Sequence, residues 1–346
     1  MTLNDLFDVQ PVSLALSDEI SAAINGKAKP PKSLGRIEDL AHRLALIHQS
    51  KTPKADSPTL LVFAGDHGMT QSGVATFPAS ITVSMVDTLL AGRATANAFA
   101  KVVGAKVQVI DAGVNHDLSN RTGLIHNKIG YGTKDASVES AMTANEAQIA
   151  LLRGADVANA AISEGADLIL MGEMGIGNSS SASLIIHRLT NAPLHLCVGP
   201  GAGHTEDSIR TKRDTLSKAS QRTDATLPMD VLAQFGGFEI AMMAGAAIAC
   251  AKAGVPVLID GFICSAAALV AIKLVPAAKD YCIFTHSSAE PGHAITMTAL
   301  KVDPLLHLDM RLGEGTGALL AVPLVQAACA LLSDVASLAE VIEAGF

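Results

Sequence analysis

The chain has 346 residues, enough for one large α/β domain or for one large and one small. Apolar residues make up 49% and charged residues 17%, so a sizeable core is available; with aromatics at 3% and no tryptophan it must be built mainly from alanine, leucine and valine. Lysine and arginine number 25 against 33 aspartates and glutamates, a net charge of −8 with no long basic run, which argues against a nucleic-acid-binding surface.

The opening segment, Met1–Asp8, is acidic and carries no signal-peptide pattern. Ser17–Asn25 reads as a helix. A turn, Lys29-Pro30-Pro31-Lys32-Ser33-Leu34-Gly35, leads into a second helix over Arg36–Ser50, whose Ile37, Leu40, Ala41, Leu44 and Ile47 follow helical spacing. The turn is either a simple helix entry or a way of bringing Lys32 or Arg36 towards an anion. Thr52–Pro58 is a polar linker.

From Thr59 the pattern changes. Apolar runs at Leu60–Phe63, Lys106–Ile110, Ala166–Leu170, Val255–Ile259 and Tyr281–Phe284 read as buried strands. Helix-length segments lie between them at Ile81–Val102, Asn145–Glu164, Asp230–Ala253 and Cys264–Lys273. Alternating strands and helices predict a parallel sheet with helices on both faces. Each strand ends near a carboxylate and a small residue, so Asp66, Asp111, Glu173, Asp260 and Glu290 are expected along the carboxyl edge where such sheets bind ligands, two or three of them touching substrate. Cys197, Cys250, Cys264, Cys282 and Cys329 sit singly with no C-x-x-C, and read as reduced core residues of a cytoplasmic protein. The most apolar segments, Ile240–Ala251, Cys264–Ala278 and Gly317–Leu332, are shorter than a bilayer-spanning helix of about 20 residues. They read as buried helices, with no membrane partner and with a homo-oligomer as one use for such faces.

Three glycine-rich turns carry chemistry. In Met171–Ala182 a strand feeds a glycine turn and then a helix, the layout that binds phosphate through backbone amides. Asn178 and Ser179–Ser181 are candidate N-caps there. The turn is neither G-x-G-x-x-G nor a lysine-bearing P-loop. Glu173 in such a place suits a sugar phosphate; the alternative is an ordinary tight turn. Val198–His204 is a second glycine loop, followed by a helix over Thr205–Arg213 in which Lys212 is the candidate charge partner; the alternative is a solvated basic face. In Arg311–Gly317, Glu314 lies between two glycines before an apolar helix. It is either a desolvated general base or a carboxylate resting on a helix dipole. His286, Glu290 and His293 invite a metal, but Pro291-Gly292 keeps them off one regular helix, and no metal is expected. Hydrogen-bonding roles are expected of Asp66 and His67. No serine sits in a G-x-S-x-G elbow and no cysteine has an activating context, so covalent catalysis is not expected.

Taken together, eight stretches in order resemble the nicotinate-nucleotide:5,6-dimethylbenzimidazole phosphoribosyltransferase (CobT) family. They are Lys29–Arg36, Asp66-His67-Gly68 with Gly73-Val74, Gly172–Asn178, Val198–Gly201, Gly236-Gly237-Phe238, Leu258–Phe262, Ser288-Ala289-Glu290 and Met310–Gly317. The resemblance implies transfer of the phosphoribosyl group of nicotinate mononucleotide to 5,6-dimethylbenzimidazole in cobalamin biosynthesis, with no metal and no cofactor. Glu314 matches the general base and Glu173 the second acid, near the ribose. Gly175, Ile176, Gly177, Asn178, Ser179, Gly201 and Lys212 match the phosphate and ribose elements. Phe77, Pro78, Met85, Met174 and Leu312 fall on the aromatic-base pocket. The implied fold is an α/β domain over residues 59–329 with a Rossmann-like parallel sheet, plus a small helical domain from residues 1–58 and 330–346, in a homodimer. Phe77 and Met85 depart from the small polar residue and glutamine common in the family, and leave adenine, plain benzimidazole or a phenol open as the base. Lys32 stands where glycine is common, and reads as surface variation. Two other readings remain: a nicotinamide-dependent oxidoreductase, against which the missing G-x-G-x-x-G counts, and a non-catalytic nucleotide-binding paralogue.

Overall fold

The computed structural model describes residues 1–201 and 206–345. The sheet is built outward from β1 (Pro58–Gly65), an apolar strand buried along its whole length. With β2 (Lys106–Gly113), β3 (Leu124–His126), β4 (Leu168–Met174), β5 (Val257–Ile259) and β6 (Cys282–Phe284) it forms a six-stranded sheet in the order β3-β2-β1-β4-β5-β6. Every pairing is parallel. The chain lays strands to one side of β1 and then crosses to the other, so β1 and β4 meet where the winding reverses, the crevice in which open parallel sheets bind ligands. Phe63 is in register with Glu173 and Ala64 with Asp111. Five of these strands are the expected ones; β3, three residues at the edge, is not among them.

In chain order the helices are α1 (Leu3–Phe7), α2 (Ser17–Asn25), α3 (Arg36–Ile47), α4 (Ser80–Leu90), α5 (Thr95–Val103), α6 (Ala144–Ser163), α7 (Asn178–Thr190) and α8 (Leu194–Cys197). They continue with α9 (Glu206–Gln221), α10 (Pro228–Phe235), α11 (Phe238–Ala253), α12 (Phe262–Leu274), α13 (Pro291–Leu300), α14 (Thr316–Ser333) and α15 (Leu338–Glu343). Two expected helices are each two. Ile81–Val102 breaks between α4 and α5, where Asn97 Oδ1 accepts from the Ala94 amide at 3.1 Å and starts a new helix. Asp230–Ala253 breaks at Gly236-Gly237, between α10 and α11.

Burial divides by face of the sheet. α11 is buried on all sides from Phe238 to Ala251, as a helix with no polar stripe must be. It lies between α6 and α12. On the opposite face Ile20 and Ile24 of α2, Leu40 and Leu44 of α3 and Leu319, Val322 and Val325 of α14 share one core. α14 continues as one helix across Pro323. It is the one helix among the described residues long and apolar enough to cross a membrane by length and composition, yet 61% of it is buried inside the protein. The chain ends are tied together: Lys27 pairs with Ser337 in an isolated bridge, and its Nζ donates to Leu332 O at 2.7 Å and Val335 O at 2.6 Å. α1 stands apart from this helical cluster, with Leu6 in the core of the other face.

Candidate active site

A cavity of ≈ 330 Å³ opens at the carboxyl ends of β1 and β4. Its polar end is the turn from β4 into α7. Gly177, with φ of +93°, is the N-cap, and no side chain caps the helix. Asn178 and the serines are therefore not caps as expected. The left-handed glycine has already started the helix, and Asn178 turns its amide back to donate to Oε2 of Glu173. The amide of Ile176 donates to Thr82 Oγ1 at 3.2 Å. Gly175, Ile176, Gly177, Asn178 and Ser179 all line the cavity at the start of a helix, where an anion is favoured by exposed amides and the helix dipole.

Two of the cavity's carboxylates come from different turns, the end of β4 and the approach to α14. Glu173 ends β4 and is buried. Burial, reinforced by Asp260, Glu239 and Glu314, pushes its pKa up to about 8 against the pull of Asn178. Glu314 is also buried, and its pKa is raised by burial and by Asp260, against a bond from the Ala96 amide. That bond, 3.3 Å to Oε2, places the carboxylate at the start of α5, whose N-cap Ala94 has no side-chain cap of its own. Glu314 thus does touch a helix dipole, but that of α5 rather than of the helix that follows it. Its backbone is left-handed, with φ of +59° between Gly313 at +91° and Gly315 at +79°. A non-glycine residue held there carries strain of order 1–3 kcal/mol, a recurring mark of functional sites. Asp260, at the end of β5, fixes this turn: it accepts from Gly317 N at 2.7 Å, Ala318 N at 3.1 Å and Gly315 N at 3.2 Å, and so caps α14.

Lys212, on α9, is fully buried behind the polar end. Its Nζ donates to Ser179 Oγ and to Gly199 O, both at 3.1 Å. Burial lowers its pKa to about 8, with Glu290 opposing. Arg210 and Arg213 of the same helix are exposed. The apolar run before this loop is the short helix α8, and Ala202–Thr205 lie outside the described residues. Gly201 is held from both sides: its amide donates to Glu290 Oε1 and its carbonyl accepts from Arg311 Nη1, each at 2.9 Å. Glu290 and Arg311 line the cavity with Gly201.

The apolar end is walled by Phe77, Met85, Met174 and Leu312, joined by Val74, Ile81 and Ile263. Pro78 does not line it; the residue lies exposed before α4, with its carbonyl accepting from Ile81 N. Phe77 is 48% exposed and Leu312 55%, so the wall is open at its rim.

Of the five carboxylates expected along the rim, Glu173 and Glu290 line this cavity. Asp111 is instead paired with Lys128 at 2.9 Å. Asp66 accepts from Asn115 N at 2.8 Å and meets the Thr82 hydroxyl. Of the three residues that invite a metal by type, His293 Nδ1 accepts from Ser288 N, His286 faces Asp260 at 3.5 Å, and Glu290 holds Gly201. The sequence reading misses Glu239. It is fully buried on α11 and bonds His67 Nε2 at 2.7 Å, while His67 Nδ1 meets Ser181 Oγ at 2.9 Å. Burial pulls the His67 pKa down, but Glu239 and Asp66 outweigh it and the net shift is upward. The one local signal is an acid at the head of a helix otherwise apolar.

A family model described as phosphoribosyltransferase matches residues 9–342. A nicotinate-nucleotide–dimethylbenzimidazole phosphoribosyltransferase of Aromatoleum aromaticum is 46% identical over 323 residues, covering 93% of this chain and 94% of that one. The protein of the same name from Dechloromonas aromatica is 44% identical over 338 residues, 96% of each chain. The crystal structure of CobT from Thermus thermophilus superimposes with a TM-score of 0.91 at 37% identity, covering 94% of this chain and 98% of that one. With the parallel sheet, the phosphate-type turn and the two glutamates already in place, these matches make the chain a member of the nicotinate-nucleotide–dimethylbenzimidazole phosphoribosyltransferase family.

Proposed function

We propose that this protein transfers the phosphoribosyl group of nicotinate mononucleotide to 5,6-dimethylbenzimidazole, giving α-ribazole 5′-phosphate and nicotinate for the nucleotide loop of cobalamin. The observation that carries the reading is one cavity with an apolar end, an anion-binding helix start at the other, and two buried glutamates between. The phosphate sits on the Gly175–Ser179 turn, with the buried Lys212 ammonium behind Ser179. The aromatic base lies between Phe77, Met85, Met174 and Leu312.

A ring nitrogen of the base attacks C1′ from the face opposite nicotinate. The C1′–N bond to nicotinate breaks, its electron pair returns to the pyridinium nitrogen, and one inversion gives the α product. Glu314 takes the proton lost by the attacking base; a raised pKa brings a carboxylate closer to that weak acid. Glu173 faces the positive charge that develops on the ribose. That charge stabilises the ionised form against the burial that otherwise keeps the carboxyl protonated to about pH 8. The protein works as a cytoplasmic homodimer. The five free, buried cysteines support a reduced setting, and the half-open apolar rim at Phe77 and Leu312 supports a second copy beside it.

The test is turnover of nicotinate mononucleotide with 5,6-dimethylbenzimidazole, with Glu314→Gln in parallel. Formation of α-ribazole phosphate by the wild type, lost by a factor of about 10² or more in the variant, is the expected result. A wild type that binds nicotinate mononucleotide without product from any base is the non-catalytic paralogue. A second reading, the same chemistry on adenine, benzimidazole or a phenol, is favoured by the wall itself: the Phe77, Met85, Met174 and Leu312 side chains carry no N–H or O–H donor to select one ring's edge.

A further inference from the structure

The Asp66-His67 pair at the end of β1 is given no part in the transfer by the roles above, yet both residues reach the phosphate turn through a hydroxyl. Asp66 meets Thr82, whose Oγ1 accepts from the Ile176 amide. His67 bonds Ser181, in the first turn of α7, through Nδ1 at 2.9 Å, and is braced from behind by Glu239 through Nε2 at 2.7 Å. The imidazole and the Glu239 side chain are 1% and 0% exposed. A Cβ placed on Gly177, the cap of α7, would lie 3.5 Å from His67 Cβ, so the histidine also packs on the turn itself. The break at Gly236-Gly237 makes room for it: a Cβ on Gly237 would overlap His67 Cε1. A buried imidazole bonded at both nitrogens has one orientation and a high cost for leaving it.

We propose that His67 is a positioning residue of the phosphate site: braced by Glu239, it holds Ser181, and with it the first turn of α7, where the amides of that turn meet phosphate. The relay touches no substrate and moves no proton in the reaction. Its effect falls on the affinity for the phosphate-bearing substrate and on the placement of C1′, not on the base pocket, whose walls lie on other elements. The inference rests on the reading of Gly175–Ser179 as the phosphate turn.

The two ring nitrogens make it testable. Asparagine at 67 places an amide near the Nδ1 position and keeps a partner for Ser181; glutamine reaches the Nε2 position and keeps only Glu239. Ser181→Ala removes one hydroxyl and adds no volume, so it keeps the fold if His67→Gln does not. Calorimetric titration of the full-length protein with inorganic phosphate, and separately with 5,6-dimethylbenzimidazole, is combined with KM for each substrate. Ser181→Ala and His67→Gln are expected to weaken phosphate at least tenfold and to raise KM for nicotinate mononucleotide in step. Affinity for the base should stay within twofold, and His67→Asn should recover most of the loss. Phosphate affinity within twofold of wild type in folded Ser181→Ala overturns the proposal, as does an equal weakening of both ligands. Lys212→Ala separates the two levels. If it leaves phosphate affinity unchanged, the phosphate-turn reading itself falls; if it weakens phosphate and the relay variants do not, only the proposal for His67 falls.

Discussion

Gly313 stands directly against the carboxylate of Glu173. A Cβ on Gly313 would overlap Oε1, and a Cβ on Gly172 would come within 2.8 Å of the Glu314 carbonyl. The two acid-bearing turns are packed glycine against glutamate in both directions, so the Glu173 carboxylate and the Glu314 backbone are each held by the other turn. Gly313→Ala is therefore expected to fail in two ways. It displaces Glu173, lowering kcat by about 10², and it forces alanine to φ of +91°, costing roughly 1–2 kcal/mol of stability. Steady-state kinetics with a urea titration checks both; an unchanged kcat would show that Glu173 has room to spare.

The raised pKa of Glu173 sets a sign for stability. The unfolded chain releases this proton near 4.5, whereas the folded protein holds it to about 8. Between those values the folded state binds more protons, so stability falls as pH rises through the window and the loss is complete above 8. Glu173→Gln has no proton to release and escapes the loss. The urea-derived stability of the variant is expected to gain on wild type by about 2–3 kcal/mol between about pH 5.5 and 8.5. A difference flat across that range would mean that Glu173 is ionised in the empty site.

Glu314 carries its strain in the backbone, at φ of +59°. Glutamine keeps the strain and glycine removes it. Both variants should be inactive, but Glu314→Gly should be about 1 kcal/mol more stable than Glu314→Gln, read as a Tm higher by roughly 1–2 °C. Equal melting temperatures would place the strain elsewhere.

Lys32, which by sequence reads as surface variation, has φ of +58° on an exposed turn. A left-handed backbone suits glycine, so the position has a conformational preference that lysine does not meet. Lys32→Gly should raise stability by about 0.5–1 kcal/mol and leave kcat and KM unchanged; a fall in stability would overturn this.

The strands are legible because each is an apolar run closed by a small residue and an acid, and burial on both faces demands that composition. β3 is not, because three residues at an edge leave no such run. The first helix break escapes notice for a different reason: helix-length apolar sequence runs on past Ala91–Ala94, where one left-handed glycine, Gly92 at φ of +71°, ends α4 and a bond from the Ala94 amide to Asn97 Oδ1 opens α5. Glu173 and Glu314 stand out as charges beside glycines, and Lys212 as a cation on the helix that follows a glycine loop. Glu239 and Ser181 do not, since what gives them meaning is a histidine more than a hundred residues away in the chain. Asp66, Asp111 and Asp260 share the local signature of Glu173; only the fold shows that they hold backbone amides and a lysine instead.

The apolar faces of α2 and α3 are synthesised first, yet α14, which covers Ile20, Ile24, Leu40 and Leu44, comes from the last tenth of the chain. Contacts of such sequence separation close late. Until they do, the nascent chain presents two amphipathic helices without the α14 face that covers them, an invitation to chaperones and to neighbouring chains. The same closure brings in Glu314, two residues before α14. Folding and catalytic competence therefore arrive in one step, and an unfinished chain exposes its stickiest surface while it still lacks its base.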